Sequence, residues 1–169
     1  MTKDLSVTAK FELVGETTVN LLKDGNFPSS AVISAEDGTS WKLGQGENWG
    51  SSAATPSVSS GAATINVTTI GEQAYQPQLV QYGLALDKGM SYKLTFKAKA
   101  AAARKIEASF QKSTDPWSTY ASKEFDLTTS EQEYSFVFTM DSAIDPSSQF
   151  AFNIGQTTGA VTFSDVKLV

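Results

Sequence analysis

Tyr92-Lys93-Leu94-Thr95-Phe96-Lys97-Ala98-Lys99 is the stretch that decides the fold. Tyr92, Leu94, Phe96 and Ala98 alternate with Lys93, Thr95, Lys97 and Lys99. A strand has a side-chain period of two, so this order puts every apolar group on one face and every polar group on the other. Working outward, the same pattern recurs. Ile106, Ala108 and Phe110 alternate with Glu107, Ser109 and Gln111; Tyr134, Phe136, Phe138 and Met140 with Ser135, Val137 and Thr139; Phe150, Phe152 and Ile154 with Ala151 and Asn153. Leu5, Val7, Ala9, Phe11 and Leu13 repeat it near the start. Turn residues separate the runs at Asp87-Lys88-Gly89, Thr114-Asp115-Pro116, Asp145-Pro146 and Thr158-Gly159. Short strands with one apolar face belong to antiparallel sheets covered on one side. The expected fold is all-β, an antiparallel β-sandwich.

Three stretches modify this reading. Ala98-Lys99-Ala100-Ala101-Ala102-Ala103-Arg104-Lys105 has high helix propensity. It is too short to be stable as an isolated helix and sits between two alternating runs, so it reads as a strand end and hairpin loop. Val161 and Phe163 share one parity, whereas Val166 and Leu168 take the other. A bulge near Ser164-Asp165 reconciles them. Residues 29–64 are poor in apolar groups and rich in Ser, Gly, Ala and Thr, and read as a long irregular segment, mobile or functional. Residues 1–18 read as an extra strand or the linker remnant of a neighbouring domain, and 19–169 as the sandwich itself.

Composition narrows the chemistry. The chain has 169 residues, no Cys and no His. That excludes thiolate nucleophiles, imidazole bases, Ser-His-Asp triads and His- or Cys-ligated metals. The net charge of -5 disfavours a phosphate backbone as partner, so no nucleic acid is expected. No run of 18 apolar residues is present, so no membrane span is expected, and Met1-Thr2-Lys3-Asp4 lacks the apolar core of a signal peptide. Only 18% of residues are charged, and Ser, Thr, Asn and Gln supply the polar surface instead. The acidic residues, Asp37, Glu107 and Asp145 among them, are scattered and read as solvated charges. Gly44-Gln45-Gly46 is too short a match for a phosphate loop.

Rings and amides carry the positive signal. Trp117 and Tyr120 follow Asp115-Pro116 in a loop, Trp49 lies in the Gly/Ser-rich stretch, and Tyr75 lies among Gln73, Gln76 and Gln78. A sugar presents C–H faces and hydroxyls that both donate and accept. Aromatic rings suit the first and neutral amides the second. Trp41 reads as core, and Tyr75 fits either the core or a site.

Several segments, taken in order, resemble carbohydrate-binding modules of family 4, which are related to families 16 and 22 and accompany bacterial polysaccharide hydrolases. They are Asn20-Leu21-Leu22-Lys23-Asp24-Gly25-Asn26-Phe27, the run from Gln78 to Tyr92, Leu94-Thr95-Phe96-Lys97-Ala98-Lys99-Ala100, the run from Tyr134 to Met140, Phe150-Ala151-Phe152-Asn153-Ile154-Gly155 and Asp165-Val166-Lys167-Leu168. The resemblance implies a sandwich of jelly-roll type, with a concave sheet holding one β-glucan chain, whether cello-oligosaccharide, mixed-linkage or a related β-linked glycan. Its groove residues would be Trp117, Gln111, Asn153, Gln76, Gln78, Trp49, Tyr120 and Gln156. Parity supports two of these: Gln111 and Asn153 lie out of phase with the apolar sets of their strands. The resemblance also implies a structural calcium held by Asp165 and by backbone oxygens around Asn26 and Gly61. Pro28 stands where many members carry Glu, and Lys42-Leu43-Gly44 follows Trp41 where a second groove aromatic is common. A secreted, monomeric, non-catalytic module covalently linked to a hydrolase is the implied setting. A sandwich enzyme acting on polysaccharide, or an adhesion sandwich without a sugar ligand, are the alternatives.

Overall fold

The computed structural model describes residues 19–34 and 40–169. The alternation at Leu5–Leu13 and the acidic residue Asp37 lie outside the described residues. Among the described residues ten strands form two antiparallel five-stranded sheets. They are β1 (Lys42–Gly44), β2 (Ala53–Ser59), β3 (Ala62–Thr69), β4 (Gln78–Leu86), β5 (Ser91–Ala100), β6 (Arg104–Gln111), β7 (Thr119–Leu127), β8 (Gln132–Thr139), β9 (Asp145–Asn153) and β10 (Gly159–Leu168). One sheet has the order β1-β4-β9-β6-β7 and the other β2-β3-β10-β5-β8. The fold is the expected sandwich.

The alternating runs point as their parity requires. Leu94, Phe96, Ile106, Phe110, Phe150, Phe152 and Ile154 are all at most 1% exposed and form the core between the sheets. Phe152 sits at its centre, stacked on Phe163 with ring centroids 4.2 Å apart and edge-on to Phe96 at 4.9 Å. Trp41 is buried beside it, as its core reading required.

Two irregularities reset strand parity. In β10 the pairing with β5 shifts between Ser164 and Lys167, and Asp165 adopts φ 51°, so the bulge lies where the phase change placed it. In β4 the pairing shifts between Tyr82 and Leu84, across Gly83 at φ 79°. Gln78, Val80 and Tyr82 therefore face outward, whereas Leu84 and Leu86 face the core. A side chain at Gly83 would be strained in this left-handed conformation.

Residues 29–64 differ from expectation. They hold β1, β2, the start of β3 and a single 3-10 turn at Glu47–Trp49. These strands escaped notice because their inward positions use small residues such as Ala54 and Ala63, and their outward positions use Ser and Thr. Pro56 is tolerated because β2 is an edge strand. The helix-prone run is the strand end and hairpin loop expected of it: the end of β5, a bend at Ala101-Ala102 and the start of β6. Asp145-Pro146 opens β9 rather than preceding it.

Candidate functional site

The outer face of the β1-β4-β9-β6-β7 sheet carries a groove of about 520 Å³. Strand register builds its floor in rows. Gln78 pairs with Asn153 and Asn153 with Glu107, giving one polar row across β4, β9 and β6. Tyr82, Gln149 and Gln111 form a second polar row. Between them lies a row of Val80, Ala151 and Ser109, which are small and buried. Residues two apart on a strand place neighbouring rows about 7 Å from each other.

The rings come from loops at opposite edges of the sheet. Trp49 lies against Gly44 of β1; a Cβ at Gly44 would stand 2.9 Å from the indole, so only glycine admits the ring this closely. Tyr75 meets Trp49 edge-on at 6.2 Å. Trp117 lies in the β6–β7 turn, 55% exposed, at φ 51°. All three line the groove together with Tyr82.

The amides on the floor are nearly inaccessible yet polar. Gln78 and Gln149 are each 3% exposed and Asn153 7%. The Asn153 amide donates to Glu107 Oε1 at 2.7 Å, and Ser109 donates to Gln111 Oε1 at 3.3 Å. Gln78 Oε1 is buried without a hydrogen-bond partner. This sets Gln78 apart from the Asn153 and Gln111 amides, which are paired along the floor.

Six of the eight expected groove residues are thus brought together: Trp117, Gln111, Asn153, Gln76, Gln78 and Trp49. Gln76 differs from the others, because its carbonyl oxygen accepts from the backbone N–H groups of Glu72 and Gln73 and holds a turn. Two expectations require correction. Tyr120 packs against the core, and its hydroxyl donates to Asp145 Oδ2 at 2.8 Å. Burial and that bond push its phenol up to about 12. Thr119 lines the groove, so period two turns its neighbour Tyr120 the other way. Gln156 lies beyond the end of β9 and reaches Glu124 instead of the groove. Reasoning from sequence missed Gln149, Tyr82, Ser109 and Glu107. The same parity that marked Gln111 and Asn153 marks Ser109, Glu107 and Gln149.

Of the residues expected at a calcium, Asn26 and Gly61 are neighbours. The Asn26 carbonyl lies 3.5 Å from the Cβ position of Gly61, and Val166 N–H donates to Gly25 O beside Asp165. The donor set does not fit the ion. Lys97 Nζ stands 2.8 Å from Asp165 Oδ2, so the one carboxylate is already met by a cation. Among the described residues no three acidic side chains converge on a metal position.

A ten-stranded sandwich with rings walling an amide floor is a β-sandwich binding module. Comparison with known proteins specifies it further. The family model described as "Carbohydrate binding domain" matches residues 19–159. A solved structure named "CBM4 structure and function" is 30% identical, covers 87% of this chain and 97% of its own, and superposes with a TM-score of 0.76. The N-terminal cellulose-binding domain of β-1,4-glucanase C from Cellulomonas fimi is 24% identical over 77% of this chain and 88% of its own, with a TM-score of 0.60. A family 11 carbohydrate-binding module from Clostridium thermocellum, solved with a β-1,3-1,4-mixed-linked tetrasaccharide, shares the fold at 15% identity, a TM-score of 0.51 and coverage of 79% and 91%. No curated protein matches. The chain belongs to the carbohydrate-binding domain family and is a sugar-binding domain of the family 4 type.

Proposed function

We propose that the groove binds a single chain of a neutral β-linked glucan, and that the module performs no catalysis but holds a linked hydrolase on plant polysaccharide outside the cell. The observation that carries this reading is the lining itself: four rings and a floor of amides and hydroxyls, with Glu107 the only charged residue among those that line it. Rings cover the apolar faces of glucose units, and amides meet equatorial hydroxyls as donor and acceptor at once. The groove is complete in one chain, which supports action as a monomer. The Cellulomonas fimi relative, named as part of a glucanase, supports linkage to an enzyme. Rim-exposed rings and solvated hydroxyls give modest affinity, roughly -5 to -8 kcal/mol.

Isothermal titration against defined cello-, mixed-linkage, β-1,3-gluco-, manno- and xylo-oligosaccharides tests the reading. Saturable heat is expected with at least one β-gluco-oligosaccharide, with no release of new reducing ends on prolonged incubation. Absence of heat with every β-glucan would overturn it, and new reducing ends would favour the enzyme alternative.

A further inference from the structure

We infer that Glu107 makes the groove selective for neutral over anionic glycans, a specificity that rests on the glucan-binding reading above. Glu107 lies on the floor, in register with Asn153 on β9 and Glu124 on β7. One of its oxygens takes the Asn153 amide. The nearby Lys105 does not offset its charge, because that ammonium is engaged by Glu124 and lies 3.7 Å from Asp126. No ion pair engages Glu107 among the described residues.

Two consequences follow from this placement. The Glu107 carboxylate flanks Asn153 on the floor, so this end of the groove presents a charged acceptor. It suits hydroxyl donors, and bonds to a carboxylate are the stronger kind. The same row is hostile to a uronic acid, a sulfate or any other anionic substituent. Like charges brought together in a partly enclosed groove repel strongly, and the repulsion weakens with salt.

The test compares three forms of one β-glucan backbone by titration: unmodified, carboxymethylated, and hydroxyethylated as a neutral control for bulk. The wild-type chain is expected to bind the carboxymethylated form at least about tenfold more weakly than the hydroxyethylated form, with the gap closing at high salt. In Glu107→Gln the gap is expected to close at low salt as well. An equal ratio in wild type and variant overturns the inference. If the variant does not fold, the salt series on the wild type decides, and a ratio indifferent to salt overturns it. Failure of the wild type to bind even the unmodified glucan sinks the glucan-binding reading instead, so the two failures are distinguishable.

A separate observation carries a second inference: the structure assigns to Lys97 the place of a structural cation. The segment from Asn20 to Phe27 is fastened to β10 by its own hydrogen bonds. The Asn20 side chain accepts from Leu22 and Leu168 N–H and donates to Val166 O, and Leu21 N–H donates to Leu168 O. At the bulge, Asp165 meets the ammonium of Lys97, which β10–β5 register places opposite Ser164. Calcium affinity rises with the number of charged ligands. Here one carboxylate faces one lysine, and Pro28 supplies no second acid.

The melting temperature of the wild-type chain is therefore expected to agree within about 1 °C in EDTA and in excess calcium chloride. Lys97→Met combined with Pro28→Glu removes the ammonium and adds a carboxylate, and calcium is expected to raise its melting temperature by several degrees. Should that pair not fold, Lys97→Met alone is read in the same melt, with a smaller rise expected. A wild-type melting temperature that falls in EDTA and recovers with calcium overturns the inference, as does a folded variant indifferent to calcium.

Discussion

Trp117→Ala is expected to weaken binding to β-glucan at least about a hundredfold, or about 2.7 kcal/mol, with no change in melting temperature. The ring is more than half exposed on the β6–β7 turn and lines the groove beside Gln111 and Thr119. It makes no ring contact with the core, so its removal opens no cavity. Alanine inherits the same positive φ, so backbone strain is carried over rather than relieved. What is lost is the one ring on the β7 side of the groove. Affinity electrophoresis in a glucan gel, paired with a thermal melt, separates the two effects. Near-full retardation of the variant would remove Trp117 from the site.

Phe152→Ala is expected to act in the opposite way, through stability. The side chain is fully buried and touches the rings of Trp41, Phe96, Phe150 and Phe163. Truncating such a residue costs about 4 kcal/mol, from lost transfer energy and the cavity left behind. A domain of this size loses roughly 2–4 °C per kcal/mol, so the melting temperature should fall by about 12 °C. The variant that remains folded should still bind glucan, because Ala151 and Asn153 are held by ladder bonds to β4 and β6 rather than by the ring. A fall of less than about 3 °C, measured by calorimetry, would mean that the sheets can close over the vacancy.

The core was legible because its residues are large and in phase. Phe96, Phe110 and Phe152 could be placed from alternation alone, and the phase slip at 164–166 located a bulge. Strand β2 and the start of β3 were illegible for the converse reason. Ala54 and Ala63 fill inward positions with side chains too small to stand out against outward Ser and Thr. The floor of the groove is half-legible: Gln111 and Asn153 follow from parity, and Gln149 and Glu107 follow from carrying the same parity four residues along each strand. Tyr82 was hidden by the bulge at Gly83, which separates outward even-numbered positions from inward ones. Tyr120 is turned to the core because β7 already begins at Thr119, so strand alternation rather than loop geometry sets its direction. The meeting of Trp49 with Tyr75 depends on two loops folding together, and no local pattern encodes that.

The junction of Asn20 with β10 has a mechanical consequence. Leu21 and Leu168 are hydrogen-bonded neighbours, and Val169 exchanges backbone bonds with Lys93. The two ends of the sandwich thus emerge side by side from the sheet that does not carry the groove. Tension pulling those ends apart would fall first on the few bonds of Asn20 and Leu21, which can peel one at a time. Tension applied to the Leu168 end would instead be spread through the ladders of β10 with β3 and β5 and the packed rings between the sheets. The sandwich is therefore built to yield first at its Asn20 end, whereas Leu168 ends the central strand of its sheet.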